Sequence, residues 1–262
     1  MKDAMRIQEY GTNQKDAILL LHGGGLSWWN FREAAELLQG EYHVLLPVLD
    51  GHAGSDRPFT TIEENASEMI SFLDKHLNGS AYLIGGLSLG GQILLEMLSQ
   101  RRELCTYALV ESAAVIPSRL TNALIAPSVG CSYGLIRNRT FAKLQFQSLH
   151  IKPELFEAYY RDTCQIKKQD MIAFLKANTS YSLKDAIRET TAEIHVCVGE
   201  RETGEILRSA EAIRHMLPSC RIHRMNGLRH GEFSINHADR YADAIRQIIR
   251  GDSMPSIFPG EY

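Results

Sequence analysis

The chain has 262 residues, of which 44% are hydrophobic and 23% are charged, and 28 basic against 31 acidic residues give a formal charge of −3. This near-neutral balance argues against a nucleic-acid-binding protein, which needs a strongly basic face, and the apolar content suffices for a folded core. No apolar run approaches the ~20 residues that span a bilayer, so no membrane span is expected.

Short apolar runs alternate with segments of helical periodicity along most of the chain. The runs predict strands at Ala17–Leu21, His43–Val48, Ala81–Ile84, Tyr107–Val110, Ile194–Val198 and Arg221–Met225. Apolar residues at helical spacing predict helices over 62–77, 90–100, 206–217 and 238–249. This alternation is typical of an α/β protein with a mainly parallel sheet flanked by helices.

The alternation stops between Ile116 and Lys184, where no strand pattern is present. Helical pieces occur there instead, at Pro153–Tyr160 and Asp170–Lys176. We therefore predict a core made of residues 1–116 and 186–262, with residues 117–185 inserted as a helical segment. The tail from Asp252 contains two prolines and is predicted to be irregular.

One serine lies in a pattern that favours nucleophilic catalysis. Residues 86–90 read G-L-S-L-G, which matches G-x-S-x-G, with a predicted strand before Ser88 and a predicted helix after it. A serine at such a sharp turn needs small residues on both sides, and its hydroxyl is exposed above the sheet. A glycine-rich connector is the alternative. Phosphate binding is disfavoured, because Gly91 replaces the lysine of a P-loop and no G-x-G-x-x-G is present.

A serine nucleophile needs a base and a carboxylate that orients the base. His230 lies in the loop between the last predicted strand and the last helix, whereas His237 is placed at the helix start. Glu202 follows the strand Ile194–Val198 and fits the chain order serine, acid, histidine. Glu111, at the end of another strand, is the competing acid. We predict His230 as the base and Glu202 as the acid.

The run H-G-G-G at residues 22–25 follows the first strong strand. Glycines there allow the backbone to approach a substrate, so the amide N–H groups of Gly24 and of Leu89, the residue after the serine, are the predicted oxyanion hole. A tight turn beneath the two tryptophans that follow is the structural alternative. Both interpretations can hold if His22 fixes the loop without touching substrate.

Together these residues resemble the α/β-hydrolase family over nearly the whole chain. The motifs that carry the resemblance are H-G-G-G at 22–25, D-G-H-A-G-S-D-R-P at 50–58, G-L-S-L-G-G at 86–91, G-E-R-E at 199–202 and R-H-G at 229–231. The resemblance implies the α/β-hydrolase fold, with residues 117–185 as a helical cap over the active site. The second motif is usually structural in that family. Glu202 stands where the family usually has aspartate.

The resulting hypothesis is a small, capped serine hydrolase that cleaves a carboxylic ester or related acyl compound and needs no metal or organic cofactor. A lyase, a C–C bond hydrolase or a cofactor-free peroxidase with the same triad is the alternative, because this scaffold hosts many chemistries. A non-catalytic ligand-binding protein is the third hypothesis. The apolar cap residues that could line a pocket are Leu120, Leu124, Phe141, Leu144, Phe146, Phe156 and Tyr159.

Charge is unevenly distributed between the predicted cap and core. Residues 117–185 contain ten basic and five acidic residues, a net charge of +5, which leaves −8 for the rest of a chain whose total is −3. Attraction between cap and core, together with a solvated face, is one explanation. The other is a basic cap that steers anionic substrates toward Ser88.

Cysteine usage and the first residues indicate the compartment. The five cysteines are scattered and contain no C-x-x-C pair, which favours reduced thiols over disulfides or a zinc site. The sequence from Met1 to Arg6 has no apolar stretch typical of a secretory signal. We therefore expect a cytoplasmic protein. Its expected partner, which follows from the hydrolase hypothesis, is a small-molecule substrate.

Overall fold

A computed structural model describes residues 5–252 of the chain. Within this range the strands form one sheet of seven, in the order β1-β3-β2-β4-β5-β6-β7. They are β1 (Ile7–Tyr10), β2 (Ala17–Leu21), β3 (His43–Pro47), β4 (Ala81–Leu87), β5 (Cys105–Glu111), β6 (Glu193–Gly199) and β7 (Arg221–Met225). Every neighbouring pair except β1 and β3 is parallel. The predicted mainly parallel α/β sheet is confirmed.

The helices cover both faces of the sheet. They are α1 (Arg32–Leu38), α2 (Ile62–His76), α3 (Leu89–Gln100), α4 (Arg119–Ser132), α5 (Arg139–Ser148), α6 (Phe156–Thr163), α7 (Lys168–Ser180), α8 (Gly204–Met216), α9 (Glu232–Asn236) and α10 (Ala238–Arg250). Short 3-10 helices occupy Trp28–Phe31, Tyr133–Arg137, Pro153–Leu155 and Asp185–Glu189. No helix between residues 5 and 252 is long and apolar enough to cross a membrane.

Alternate side chains of a central strand supply two separate hydrophobic layers. Leu19 and Leu21 of β2 pack with apolar residues of α2, α3 and α8, whereas Ile18 and Leu20 pack with those of α1 and α10. A strand that is buried on both faces has no polar side to alternate with. This explains why the continuous run A-I-L-L-L predicts β2 with its correct bounds.

The structure differs from the sequence prediction in several local features. The strand predicted to end at Ile84 continues to Leu87, because Gly85 and Gly86 still pair with β5. Strand β1 was not predicted: it is a four-residue edge strand whose sequence I-Q-E-Y has one neighbour and little apolar signal. Helix α1, only seven residues long, was missed as well. The predicted irregular tail beyond Asp252 lies outside the described residues.

The chain between β5 and β6 forms helices α4 to α7 and contacts the core through buried polar groups. The side-chain nitrogen Nε2 of Gln92 in α3 donates to the backbone carbonyl of Asn178 at 2.8 Å. The carboxylate of Asp170 accepts from the backbone N–H of Phe59 at 3.0 Å. These contacts fix α7 against α3 and against the loop that precedes α2.

A third buried contact joins α6 to the core. The indole Nε1 of Trp29 donates to Oδ2 of Asp162 at 2.8 Å, and Asp162 is only 5% exposed. The other carboxylate oxygen of Asp162 accepts from Nε of Arg161 at 2.6 Å. Trp29 therefore acts as a hydrogen-bond donor as well as a packing residue.

Loss of the Trp29 hydrogen bond should lower the stability of the folded protein. We expect Trp29→Phe to lower the free energy of unfolding by about 1–3 kcal/mol, because it leaves a buried carboxylate oxygen without its donor. Urea denaturation measures the change. Trp28→Phe is the matched control, since Trp28 is half-buried and its indole makes no hydrogen bond within residues 5–252. Equal losses in the two variants would contradict the assigned role of the hydrogen bond.

Candidate active site

The predicted nucleophile occupies the turn between β4 and α3. Ser88 has φ 52° and ψ −111°, a left-handed conformation that is costly for a residue with a side chain. Its backbone N–H donates to the carbonyl of Glu111 on β5 at 2.8 Å, and its carbonyl accepts from Gln92 at 3.0 Å. These two hydrogen bonds fix the strained residue at the carboxyl edge of the sheet.

Glycines on both sides of the serine are a steric requirement. A Cβ on Gly86 would lie 2.4 Å from the carbonyl oxygen of Gly90, and a Cβ on Gly90 would lie 2.1 Å from that of Leu21. Both distances are far shorter than any van der Waals contact. The two glycines are therefore required because the start of α3 lies against both the end of β2 and the residues just before Ser88.

The predicted base and acid are brought together by two neighbouring loops. His230 follows β7, Glu202 follows β6, and Nδ1 of His230 lies 3.2 Å from Oε2 of Glu202. The other carboxylate oxygen of Glu202 accepts from Oγ of Ser112 at 2.5 Å. The Glu202 side chain is 1% exposed, while that of His230 is 47% exposed. The acid is thus buried and held at both oxygens, and the imidazole faces the opening.

This pairing changes the titration of the imidazole. Partial desolvation of the ring favours its neutral form, but the hydrogen bond and charge of Glu202 outweigh that effect and raise the pKa of His230 above its ordinary value. Because Nδ1 is directed at Glu202, Nε2 is the nitrogen left for a proton from another group. The arrangement stabilises an imidazolium at this position.

The competing acid, Glu111, lies beneath the site in a different environment. Its side chain is 2% exposed, and Oε1 accepts from the backbone N–H of Ser234 at 3.2 Å. Its Oε2 has no hydrogen-bond partner within the described part of the chain. Burial raises the pKa of Glu111 to about 7. The carboxylate that contacts His230 is that of Glu202.

The predicted oxyanion loop is fixed by two buried histidines. Nε2 of His22 accepts from the backbone N–H of Leu49 at 3.1 Å, and Nε2 of His52 accepts from that of Gly25 at 3.0 Å. An imidazole nitrogen that accepts a hydrogen bond carries no proton, so both rings are neutral in this arrangement. Burial lowers the pKa of His22 well below its usual value and that of His52 to about 4.

The same loop is covered by the segment between β5 and β6. The ring of Phe174, from α7, stacks on His52 with centroids 4.6 Å apart. Both Phe174 and Leu89 approach Gly24, since a Cβ at Gly24 would lie 3.5 Å from each side chain. Gly24 and Leu89, the two predicted oxyanion donors, are therefore neighbours. His52 holds the loop through the backbone N–H of Gly25 and is not among the residues that line the cavity described next.

Ser88, Glu202, His230 and Gly24 all line one cavity of about 290 Å³. Leu89 is fully buried beside it. From residues 117–185 the lining residues are Ser148, Leu149, His150 and Ile151. None of the seven apolar residues suggested by the sequence is among them; Phe146, Phe156 and Tyr159, for instance, pack on one another. His237 precedes α10 and is also not part of the lining.

Ser112 and Phe174 contact residues of the candidate site from outside the cavity, and the sequence analysis predicted neither. Ser112 holds Glu202 from a positive φ of 53° directly after β5, and Phe174 reaches the oxyanion loop from α7. The only sequence signal for Ser112 is its place at the carboxyl end of a predicted strand. Phe174 is one of several apolar residues in an amphipathic helix, and nothing local distinguishes it.

Comparisons with known proteins agree with the fold described above. A family model described as "Alpha/beta hydrolase family" matches residues 18–244. One similar solved structure is a thermophilic esterase from Thermogutta terrifontis, with 18% identity, a TM-score of 0.77 and coverage of 94% of this chain and 93% of that chain. Another is the esterase EaEST from Exiguobacterium antarcticum, with 17% identity, a TM-score of 0.79 and coverage of 94% of this chain and 95% of that chain. A third is the enol-lactonase from Burkholderia xenovorans LB400, with 14% identity, a TM-score of 0.78 and coverage of 94% of this chain and 96% of that chain. No curated protein matched the sequence.

The contact between Glu202 and His230 predicts how the imidazole titrates. We expect Glu202→Gln to lower the pKa of His230, because the neutral amide no longer stabilises the imidazolium. The raised pKa also stabilises the fold below pH 6.5, and this contribution is lost as the pH rises through the folded-state pKa. An NMR titration of the His230 imidazole, in the unmodified protein and in Glu202→Gln, measures the change in its pKa. Glu200→Gln is the control, since the Glu200 carboxylate binds the Gly227 N–H instead; an equal shift in both variants contradicts the assignment.

Proposed function

The chain belongs to the α/β hydrolase family, and from this premise we propose that it is a serine hydrolase that cleaves a carboxylic ester through an acyl-enzyme on Ser88. The observation that carries the proposal is the hydrogen bond between Glu202 and His230 at the rim of the cavity that Ser88 also lines. A nucleophile, a base and a buried carboxylate that orients the base are the components of acyl transfer.

In the proposed acylation step, Oγ of Ser88 attacks the ester carbonyl carbon while Nε2 of His230 takes the hydroxyl proton. Glu202 stabilises the imidazolium that forms, and the amides of Gly24 and Leu89 stabilise the oxyanion. The tetrahedral intermediate then collapses, the bond to the alcohol oxygen breaks, and His230 returns its proton to that oxygen. The product of this step is an ester between the acyl group and Ser88.

In the proposed deacylation step, water attacks the acyl carbon and gives its proton to Nε2 of His230. The same two amides stabilise the second oxyanion. Cleavage of the bond to Oγ releases the carboxylic acid, and the imidazolium restores the serine hydroxyl. Each proton taken up by His230 is returned within the same half-reaction, so water is the only co-reactant.

The alternative chemistries make different use of the same residues. A lyase or a C–C bond hydrolase would act on substrates that lack an ester, and an enol-lactonase, like the Burkholderia enzyme, would act on a cyclic ester. An acyl-enzyme that forms from an ester and then hydrolyses favours the present proposal. Elimination without acylation favours a lyase.

The first test concerns the nucleophile. We expect Ser88→Ala to abolish labelling by a fluorophosphonate and to lower turnover of 4-nitrophenyl esters by at least a thousandfold, since the attacking oxygen is removed. Mass spectrometry locates the label, and absorbance measures turnover. Ser99→Ala, on the same helix with its Oγ bonded to the Leu95 carbonyl, is the control. Undiminished turnover in Ser88→Ala would refute the proposal.

The second test separates the two carboxylates. We expect Glu202→Gln to lower kcat by at least a hundredfold, because the orienting charge on the base is lost. Glu111→Gln replaces a carboxyl that is already about half protonated near pH 7, so its kcat should stay within about fivefold of the unmodified protein. Steady-state kinetics near pH 7 decide between them. The reverse ranking would make Glu111 the acid.

A further inference from the structure

Two arginines lie on the wall of the catalytic cavity. Arg201 is exposed and follows β6, and Arg229 is half-buried and follows β7. Each immediately precedes a residue of the proposed triad, Glu202 or His230. The lining residues from 117–185 include no lysine or arginine. Among the residues that line the cavity, the two arginines therefore come from the core loops and not from residues 117–185.

Backbone contacts hold the two arginines on neighbouring loops. The N–H of Arg201 donates to the carbonyl of Leu228 at 2.9 Å, and Leu228 is the residue before Arg229. The hydrogen bond between Glu202 and His230 links the same two loops. Two guanidinium groups on adjacent loops repel each other unless an anion lies between them.

The carboxylates of these loops already have other partners. Glu200 accepts from the Gly227 N–H at 2.8 Å, and Glu232 accepts from the Arg229 backbone N–H at 2.7 Å. Glu202 accepts from Ser112 and contacts His230. Within residues 5–252, no carboxylate forms an ion pair with the guanidinium group of Arg201 or Arg229. Both arginines of the cavity lining thus lack an ion-pair partner among the described residues.

We propose that Arg201 and Arg229 form a carboxylate-binding subsite beside Ser88, so that the preferred substrate is an ester that also carries a carboxylate. The inference rests on the proposed ester hydrolysis. It deepens that function by naming a substrate class and the residues that select it. It also assigns selectivity to the core loops, whereas the charge of residues 117–185 had suggested a basic cap.

The chemistry of the cavity suits such a molecule. Guanidinium groups remain charged at all relevant pH values and bind a carboxylate with two parallel hydrogen bonds. Leu26, Leu87 and Ile235 supply an apolar wall for the carbon chain between the two functional groups. A cavity of about 290 Å³ limits that chain to a few carbons. The scissile carbonyl can then lie at Ser88 while the carboxylate contacts the arginines.

The test compares two esters of equal acyl length. Mono-4-nitrophenyl glutarate carries the carboxylate, and 4-nitrophenyl pentanoate lacks it. We expect the unmodified protein to show a higher kcat/KM for the glutarate ester. The double variant Arg201→Gln/Arg229→Gln should reduce the ratio of the two kcat/KM values by at least tenfold, through a higher KM for the glutarate ester. Arg201→Lys/Arg229→Lys keeps the charge and should retain part of the preference.

The controls are Arg137→Gln and Lys143→Gln, which remove exposed cations of the segment between β5 and β6. Neither should change the ratio. No preference for the glutarate ester in the unmodified protein, or an undiminished preference in the double glutamine variant, would overturn the subsite. A loss of preference in the two control variants instead would support steering by the basic segment and also overturn it.

Failure of ester hydrolysis is distinguishable from failure of the subsite. Absence of turnover with both esters refutes the proposed function, and the subsite is then measured by calorimetric titration with free glutarate. Binding of glutarate that disappears in the double glutamine variant, with pentanoate as the control ligand, supports the subsite without any catalysis. Equal binding to both proteins, or none to either, overturns it.

Discussion

The strained backbone of Ser88 is the constraint on which the site depends. Its left-handed conformation is held by the hydrogen bond from its N–H to Glu111 on β5 and by the start of α3 directly behind it. Gly86 and Gly90 are required because neither position has room for a side chain. Since β4 lies between β2 and β5, the turn places the serine hydroxyl among the loops of its neighbouring strands. The other residues of the candidate site lie on loops around this fixed point.

Two carboxylates near that point have different hydrogen-bonding environments. Glu111 is the last residue of β5 and Glu202 follows β6, so both lie at the carboxyl edge of the sheet. Glu202 is held by Ser112 and His230, whereas one oxygen of Glu111 has no partner in the described part of the chain. Desolvation favours the protonated carboxyl, and the hydrogen bond from Ser234 offsets it only in part, which is why the pKa of Glu111 rises to about 7. Local hydrogen bonding, rather than position along the sheet, distinguishes the two carboxylates.

Local patterns predicted the parts of the molecule that depend on local geometry. The buried strands follow from apolar runs, and the serine turn follows from its glycine spacing. The pairing of Glu202 with His230 was accessible because parallel strands end at one edge. Ser112 and Phe174 were not predictable, because their roles arise from contacts across 90 and 122 positions of the chain. Strand β1 was missed since an edge strand carries little apolar signal.

Two ion pairs join the basic segment between β5 and β6 to the more acidic core. Lys152 contacts Glu33 at 2.5 Å and Lys184 contacts Glu63 at 3.1 Å, so cations of the segment between β5 and β6 are matched by acids of the core. Attraction between the two parts therefore accounts for some of the asymmetry. Charges engaged in this way contribute less to the field at Ser88. A cation attracts a bound anion more strongly when no carboxylate neutralises it. Arg201 and Arg229 line the cavity and form no ion pair within residues 5–252.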